Sequence, residues 1–276
     1  MGPEKCTCIK QYRARCSKVI TALAIVGCAS TSVSASTFYQ FDWNGGGHSQ
    51  AGGKINSITS TFAPSTNRLT WESTFAAAPS SPSHVTNGFW LVVNAGPNPK
   101  GHAGELAIFY LDASNSADLK LSVYAYNGVN GPNSWRDGSP AAGLQTPDRI
   151  TNSIANPSFI NSLTFEDHGN GTRTIGFDID ATAINQHVPL HPGPDGPSEW
   201  TGAAYDDLIG IWFHPVRGLS AGYDQNGWLT SWGFEAQGWL DTTNMSTTLI
   251  VPLPPAAWAG LAMLGGIVGV RKLRRR

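Results

Sequence analysis

The chain of 276 residues carries a formal net charge of −1, but the charge is unevenly placed. Five of its 18 Lys and Arg precede residue 36, five follow residue 270, and of its 19 Asp and Glu only Glu4 lies outside residues 36–250. The middle segment therefore sets 8 basic side chains against 18 acidic ones, which argues against nucleic acid or an anionic membrane surface as a partner and suits neutral glycans or divalent cations held by carboxylates.

In chain order, Met1–Lys18 is short and basic (Lys5, Lys10, Arg13, Arg15, Lys18), Val19–Ala29 is apolar, and Val33-Ser34-Ala35 offers small residues where a signal peptidase reads. Residues 1–35 thus read as a secretory signal peptide, handled by the export translocon and cut between Ala35 and Ser36. A competing reading is a lipobox, Ile25-Val26-Gly27-Cys28, with lipid on Cys28. All four cysteines precede residue 36, so the exported protein is expected to have neither disulfide nor thiol chemistry and to rely on its core or on bound ions.

Residues 36–248 show strand-like alternation divided by Gly, Pro, Asn and Ser clusters, with no long helical pattern. The expected strands are Thr37–Trp43, Lys54–Phe62, Asn67–Phe75, Gly88–Asn94, Gly104–Asp112, Asp118–Tyr126, Ser158–Glu166, Thr172–Asp180, Asp207–His214, Gly227–Glu235 and Gly238–Asp241. So many short strands with long loops predict an all-β domain, a two-sheet antiparallel β-sandwich of jelly-roll-like type. Three loops stand out as places for function: Asn94–Gly104, Asn127–Arg149 and the proline-rich Gln186–Glu199.

Nine of the ten tryptophans lie between Ser36 and Ile250, the tenth being Trp258 in the tail. A sugar ring stacks its C–H face on indole, so exposed aromatics would mark a glycan-binding face, whereas most tryptophans of a sandwich fill its core. Trp135 and Trp200 lie in loop sequence and are the candidates for exposure; Tyr124 and Tyr126, on the polar parity of their strand, form a second candidate platform. Carboxylates recur as Asp178-x-Asp180 on one strand face and as Asp206-Asp207 at a strand start, weak candidates for structural Ca²⁺ in a chain with no EF-hand pattern and no other expected cofactor. Catalytic signals are missing. No Glu-x-Asp-x-Glu strand and no Gly-x-Ser-x-Gly elbow occurs, Pro189 breaks the His187/His191 spacing, and His214 beside Pro215 ends a strand in a structural role.

The last 26 residues have three parts. Pro252, Pro254 and Pro255 break the backbone, Ala256–Val270 is uncharged, and Arg271, Lys272, Arg274, Arg275 and Arg276 follow. As a helix Ala256–Val270 would rise about 22 Å, reaching the roughly 30 Å hydrocarbon core only with Leu249–Leu253 added. The cations would stay cytoplasmic. This tail, residues 249–276, resembles the PEP-CTERM sorting signal of Gram-negative bacteria in its variant opening Val-Pro-Leu-Pro, matched here by Val251, Pro252, Leu253, Pro254, Trp258, the glycine-bearing apolar run and the arginine cluster. The strict motif carries Glu between two prolines where this chain has Leu253. The resemblance covers the tail alone. It implies an exosortase-type membrane protease as partner, transient inner-membrane anchoring, cleavage near the prolines and delivery to the envelope or extracellular matrix alongside exopolysaccharide. A plain C-terminal anchor is the competing reading.

The expected protein is an exported, non-catalytic structural or glycan-binding component of an exopolysaccharide matrix. A secreted polysaccharide-active hydrolase or lyase is the alternative.

Overall fold

A computed structural model describes residues 36–45, 48–50, 53–77, 85–135, 147–191 and 199–252. The expected leader with Cys28 and Ala35, and the tail residues Leu253, Pro254, Trp258, Arg271, Lys272, Arg274, Arg275 and Arg276, lie outside the described residues; Ser36, Val251 and Pro252 lie within them. Among the described residues no helix is long and apolar enough to cross a membrane.

The strands are β1 (Phe38–Trp43), β2 (His48–Gln50), β3 (Gly53–Ala63), β4 (Arg68–Ala76), β5 (Gly88–Asn94), β6 (Ala107–Asp112), β7 (Lys120–Ala125) and β8 (Arg149–Asn152). There follow β9 (Ile160–Asp167), β10 (Thr172–Asp180), a single helical turn α1 (Thr182–Asn185), β11 (Leu208–Arg217), β12 (Ser220–Tyr223), β13 (Leu229–Gly233), β14 (Ala236–Gln237), β15 (Leu240–Ser246) and β16 (Thr248–Ile250). The expectation of an all-β antiparallel chain is met. One sheet runs β16-β1-β3-β4-β10-β9 with β2 also on β3; another runs β14-β11-β5-β6-β7-β8 with β15 also on β11; β12 and β13 form a separate hairpin.

Alternation decides which faces meet. On β4, Leu69, Trp71, Ser73 and Phe75 are buried while Arg68 and Glu72 are exposed, and on β10 Ile175, Phe177 and Ile179 are buried. The apolar members of this set share a core with Phe89, Leu91, Val93, Phe109, Leu111 and Phe213 of the second sheet. Trp71 meets Phe213 at 5.2 Å between ring centroids, and Phe109 stacks on Phe177 at 5.3 Å. The second sheet is buried on both faces: every residue of β5 and β6 is buried, as continuous apolar strand sequence requires. Its outer face carries Trp90, Tyr110, Tyr124, Tyr126 and Trp212, covered by Trp135 and by Trp228, Trp232 and Phe234 from the hairpin and its flanks.

Where the observed strands differ from the expected ones, pairing is the reason. β11 does not stop at His214 but continues through Pro215 to Arg217. Pro215 has no N–H to give, and it sits where β11 changes its partner on that side from β15, paired through Phe213, to β14, paired from Val216. Its carbonyl still accepts the Gly238 N–H at 2.8 Å. The end of the Asn127–Arg149 segment enters β8, which pairs with β7. At the β3–β4 turn Asn67 takes a left-handed φ of 50°, a conformation that Asn tolerates better than most residues.

Candidate functional site

Of the expected aromatic contacts, Tyr124, Tyr126 and Trp135 are buried and Trp200 is partly exposed. Tyr124 is fully buried, its hydroxyl accepting the Leu229 N–H at 2.8 Å, and burial pushes its phenol well above the ordinary range. Tyr126 is buried too and is pushed up to about 12 by burial; its hydroxyl accepts the Gly101 N–H and donates to Asn130 Oδ1. Trp135 packs beside Tyr124 at 5.9 Å and is only 5% exposed. Trp200 is half-buried, donating its Nε1–H to Ile184 O at 2.8 Å, with His187 edge-on at 5.3 Å. Strand parity puts Tyr124 and Tyr126 on the correct face of their sheet, but a further layer covers that face and removes the expected exposure. Among the described residues, Trp239 is the one large aromatic side chain that stands out at the surface, at 47% exposure.

Of the carboxylates expected to hold an ion, those of Asp178, Asp180 and Asp206 are engaged by protein groups. Asp178 takes a bidentate ion pair from Arg68, at 2.9 Å from Nε and 2.5 Å from Nη2, and a third bond from Asn161 at 2.9 Å. Partial burial pulls its pKa upward, but the hydrogen bonds from Arg68 and Asn161 outweigh this and hold it below the ordinary value. Asp180 accepts the Thr182 N–H at 2.9 Å at the start of α1. Asp206 accepts the Leu208 N–H and, through its carbonyl, the Thr247 hydroxyl; the Asp207 carbonyl accepts the Thr247 N–H. Among the described residues no group of three or more His, Cys, Asp and Glu side chains converges as a metal site would.

The open surface with the most organised chemistry is the outer face of the first sheet, which no sequence motif marks. Register lines up Asp42, Thr59, Glu72, Gly176 and Thr164 in one row across β1, β3, β4, β10 and β9. The adjacent row holds Gln40, Thr61, Thr70, Asp178 and Ser162. With strands about 4.8 Å apart, each row is about 19 Å long. A groove of about 310 Å³ opens on this face, lined by Thr59, Thr70, Trp71, Glu72, Ser162, Thr164, Phe177 and Asp178, and Gly176 lies in the same row as Glu72 and Thr164. The glycine is required: a Cβ at this position would lie 2.3 Å from Trp71 O, so β4 and β10 approach too closely for any other residue.

Within this face some polar groups are already satisfied and others are free. Thr59 donates to Asp42 at 3.0 Å, Thr61 and Thr70 share a hydroxyl bond at 2.7 Å, and Asp178 is saturated by Arg68 and Asn161. Glu72 is exposed and makes neither a hydrogen bond nor an ion pair with the described residues. An isolated glycine within a strand pattern is the sequence signal for this close approach; which side chains flank it depends on register across five strands.

A second recess of about 360 Å³ lies beside Val85, Ser114, Phe165 and Arg173. Its arginine is committed, with Arg173 donating to Thr86 O and Asp167 and stacking over Phe165 at 4.7 Å. Compared with known proteins, the chain matches no protein-family model, no curated protein sequence and no solved structure.

Proposed function

We propose that this chain is an exported, non-catalytic structural protein of the cell envelope or extracellular polysaccharide matrix, built on a two-sheet, jelly-roll-like β-sandwich. Its leader would be removed at Ala35–Ser36, and its tail would be sorted by an exosortase-type protease at the Val251-Pro252-Leu253-Pro254 motif.

The inward placement of the tryptophans carries the structural part of this reading. Trp71, Trp90, Trp135, Trp212 and Trp232 are buried, Trp43, Trp200 and Trp228 are half-buried, and Trp239 is the one exposed tryptophan among the described residues. Aromatics placed in this way build a stiff scaffold and leave sugar contact to polar side chains. Of the groove carboxylates, Asp178 is held ionised by Arg68, the opposite of what a general acid needs. The address is tested by mass spectrometry of the native protein from cells and medium. The expected species begins near Ser36, lacks Ala256–Arg276 and is found outside the cell. An intact tail retained in the inner membrane would make that segment a plain anchor and overturn the matrix reading.

A further inference from the structure

We infer that the groove crossing the outer face of the first sheet binds an extended polysaccharide bearing free hydroxyl and amino groups; this rests on the matrix reading and names the glycan class that reading leaves open. Three observations carry it. The groove runs across the strands from β3 through β4 and β10 to β9, a direction that suits a linear chain lying over several residues. Its walls are hydroxyls and carboxylates from alternate strand positions, and the buried Trp71 and Phe177 line it between them. Its charge is acidic at the centre: Arg68 is already neutralised by Asp178, which leaves Glu72 unpaired among the described residues, in register with Thr59, whose hydroxyl is bonded to Asp42.

The chemistry of the occupant follows. Sugar hydroxyls exchange hydrogen bonds with Thr59, Thr70, Ser162 and Thr164, each of which can both donate and accept. A protonated amine on the chain supplies the missing partner of Glu72, and a charge-assisted bond of this kind is stronger than a neutral one. A uronate-rich polymer meets Glu72 and Asp42 with like charge and is rejected. Aromatic stacking contributes nothing here, because the indole nearest the groove faces the core; Trp71 lies beneath it.

The test uses the full-length chain purified in mild detergent, titrated calorimetrically with β-linked glucosamine oligomers, their N-acetylated counterparts and alginate oligomers. The glucosamine oligomers should bind most tightly and alginate not at all. Glu72→Gln should weaken glucosamine binding roughly tenfold, the scale of one hydrogen bond to a charged group. Thr59→Val combined with Thr164→Val should weaken it too, with unchanged melting temperature. Glu166→Gln, which removes an exposed carboxylate of the same face outside the groove, should leave it unchanged. Equal losses from Glu72→Gln and Glu166→Gln would reduce the effect to overall charge and overturn the assignment. So would tighter binding of acetylated or alginate oligomers, or wild-type affinity in Glu72→Gln. These outcomes are independent of the address: a protein located in the matrix with an inert groove refutes this inference alone, whereas a protein retained in the inner membrane refutes the matrix reading whatever the groove binds.

Discussion

The imidazole of His214 lies flat on the indole of Trp90, with ring centroids 4.6 Å apart and planes 3° from parallel. Trp212 closes on the same imidazole edge-on at 5.0 Å, and neither ring nitrogen makes a well-formed hydrogen bond. Burial, reinforced by the nearby charge of Lys100 and only partly offset by the Gly238 backbone, lowers the His214 pKa from 6.5 to about 4.

This stack makes stability fall in mild acid. The unfolded chain takes up a proton on His214 near pH 6.5, while the folded chain does not until about pH 4. The stabilisation is therefore complete above pH 6.5 and declines between pH 6.5 and 4, by roughly 3 kcal/mol in total. Denaturant unfolding across this range should show the decline, and His214→Phe, which keeps an aromatic ring on Trp90, should flatten it.

Arg68 and Asp178 act in a lower window. The folded-state pKa of Asp178 is depressed, so the pair's contribution is present above the ordinary carboxylate value and is lost as pH falls below it. The Arg68 side chain is 58% exposed, so solvent screening limits the pair to about 1 kcal/mol or less. Arg68→Ala should lower the melting temperature slightly at neutral pH and leave the His214 window unchanged.

Gly176→Ala should be costly although the position lies on an outer face. The added methyl would meet Trp71 O at 2.3 Å and Glu72 Cα at 3.0 Å, both of them backbone atoms that cannot rotate away. A loss of about 1–3 kcal/mol, read by thermal unfolding, is expected.

Trp135 and Trp200 should behave as structural residues. Trp135→Ala removes a buried indole and should cost about 3–5 kcal/mol. Trp200→Phe removes the bond to Ile184 O and should cost about 1 kcal/mol. Glucosamine affinity of the folded fraction should stay at the wild-type value in both.

The strand pattern is legible wherever one face is apolar. Gly88–Asn94 and Thr172–Asp180 coincide with β5 and β10 because seven or nine residues of consistent pattern leave no other choice. The short strands β2, β8, β12, β14 and β16 carry too few residues to show a period and exist through their partners. The site is less legible. Parity tells which side of a strand Tyr124 occupies, but not that a hairpin with Trp228 and Trp232 closes over it. The row from Asp42 to Thr164 joins residues more than 120 positions apart, and only register brings them together.

The first and last strands of the domain are hydrogen-bonded neighbours, with Phe38 opposite Ile250, Tyr39 opposite Leu249 and Gln40 opposite Thr248. Both ends of the folded segment thus leave from one corner. A pull on the chain beyond residue 250 acts first on this three-pair ladder and unzips it pair by pair, and β16 can come away while the aromatic interior stays intact. That corner is a mechanical fuse.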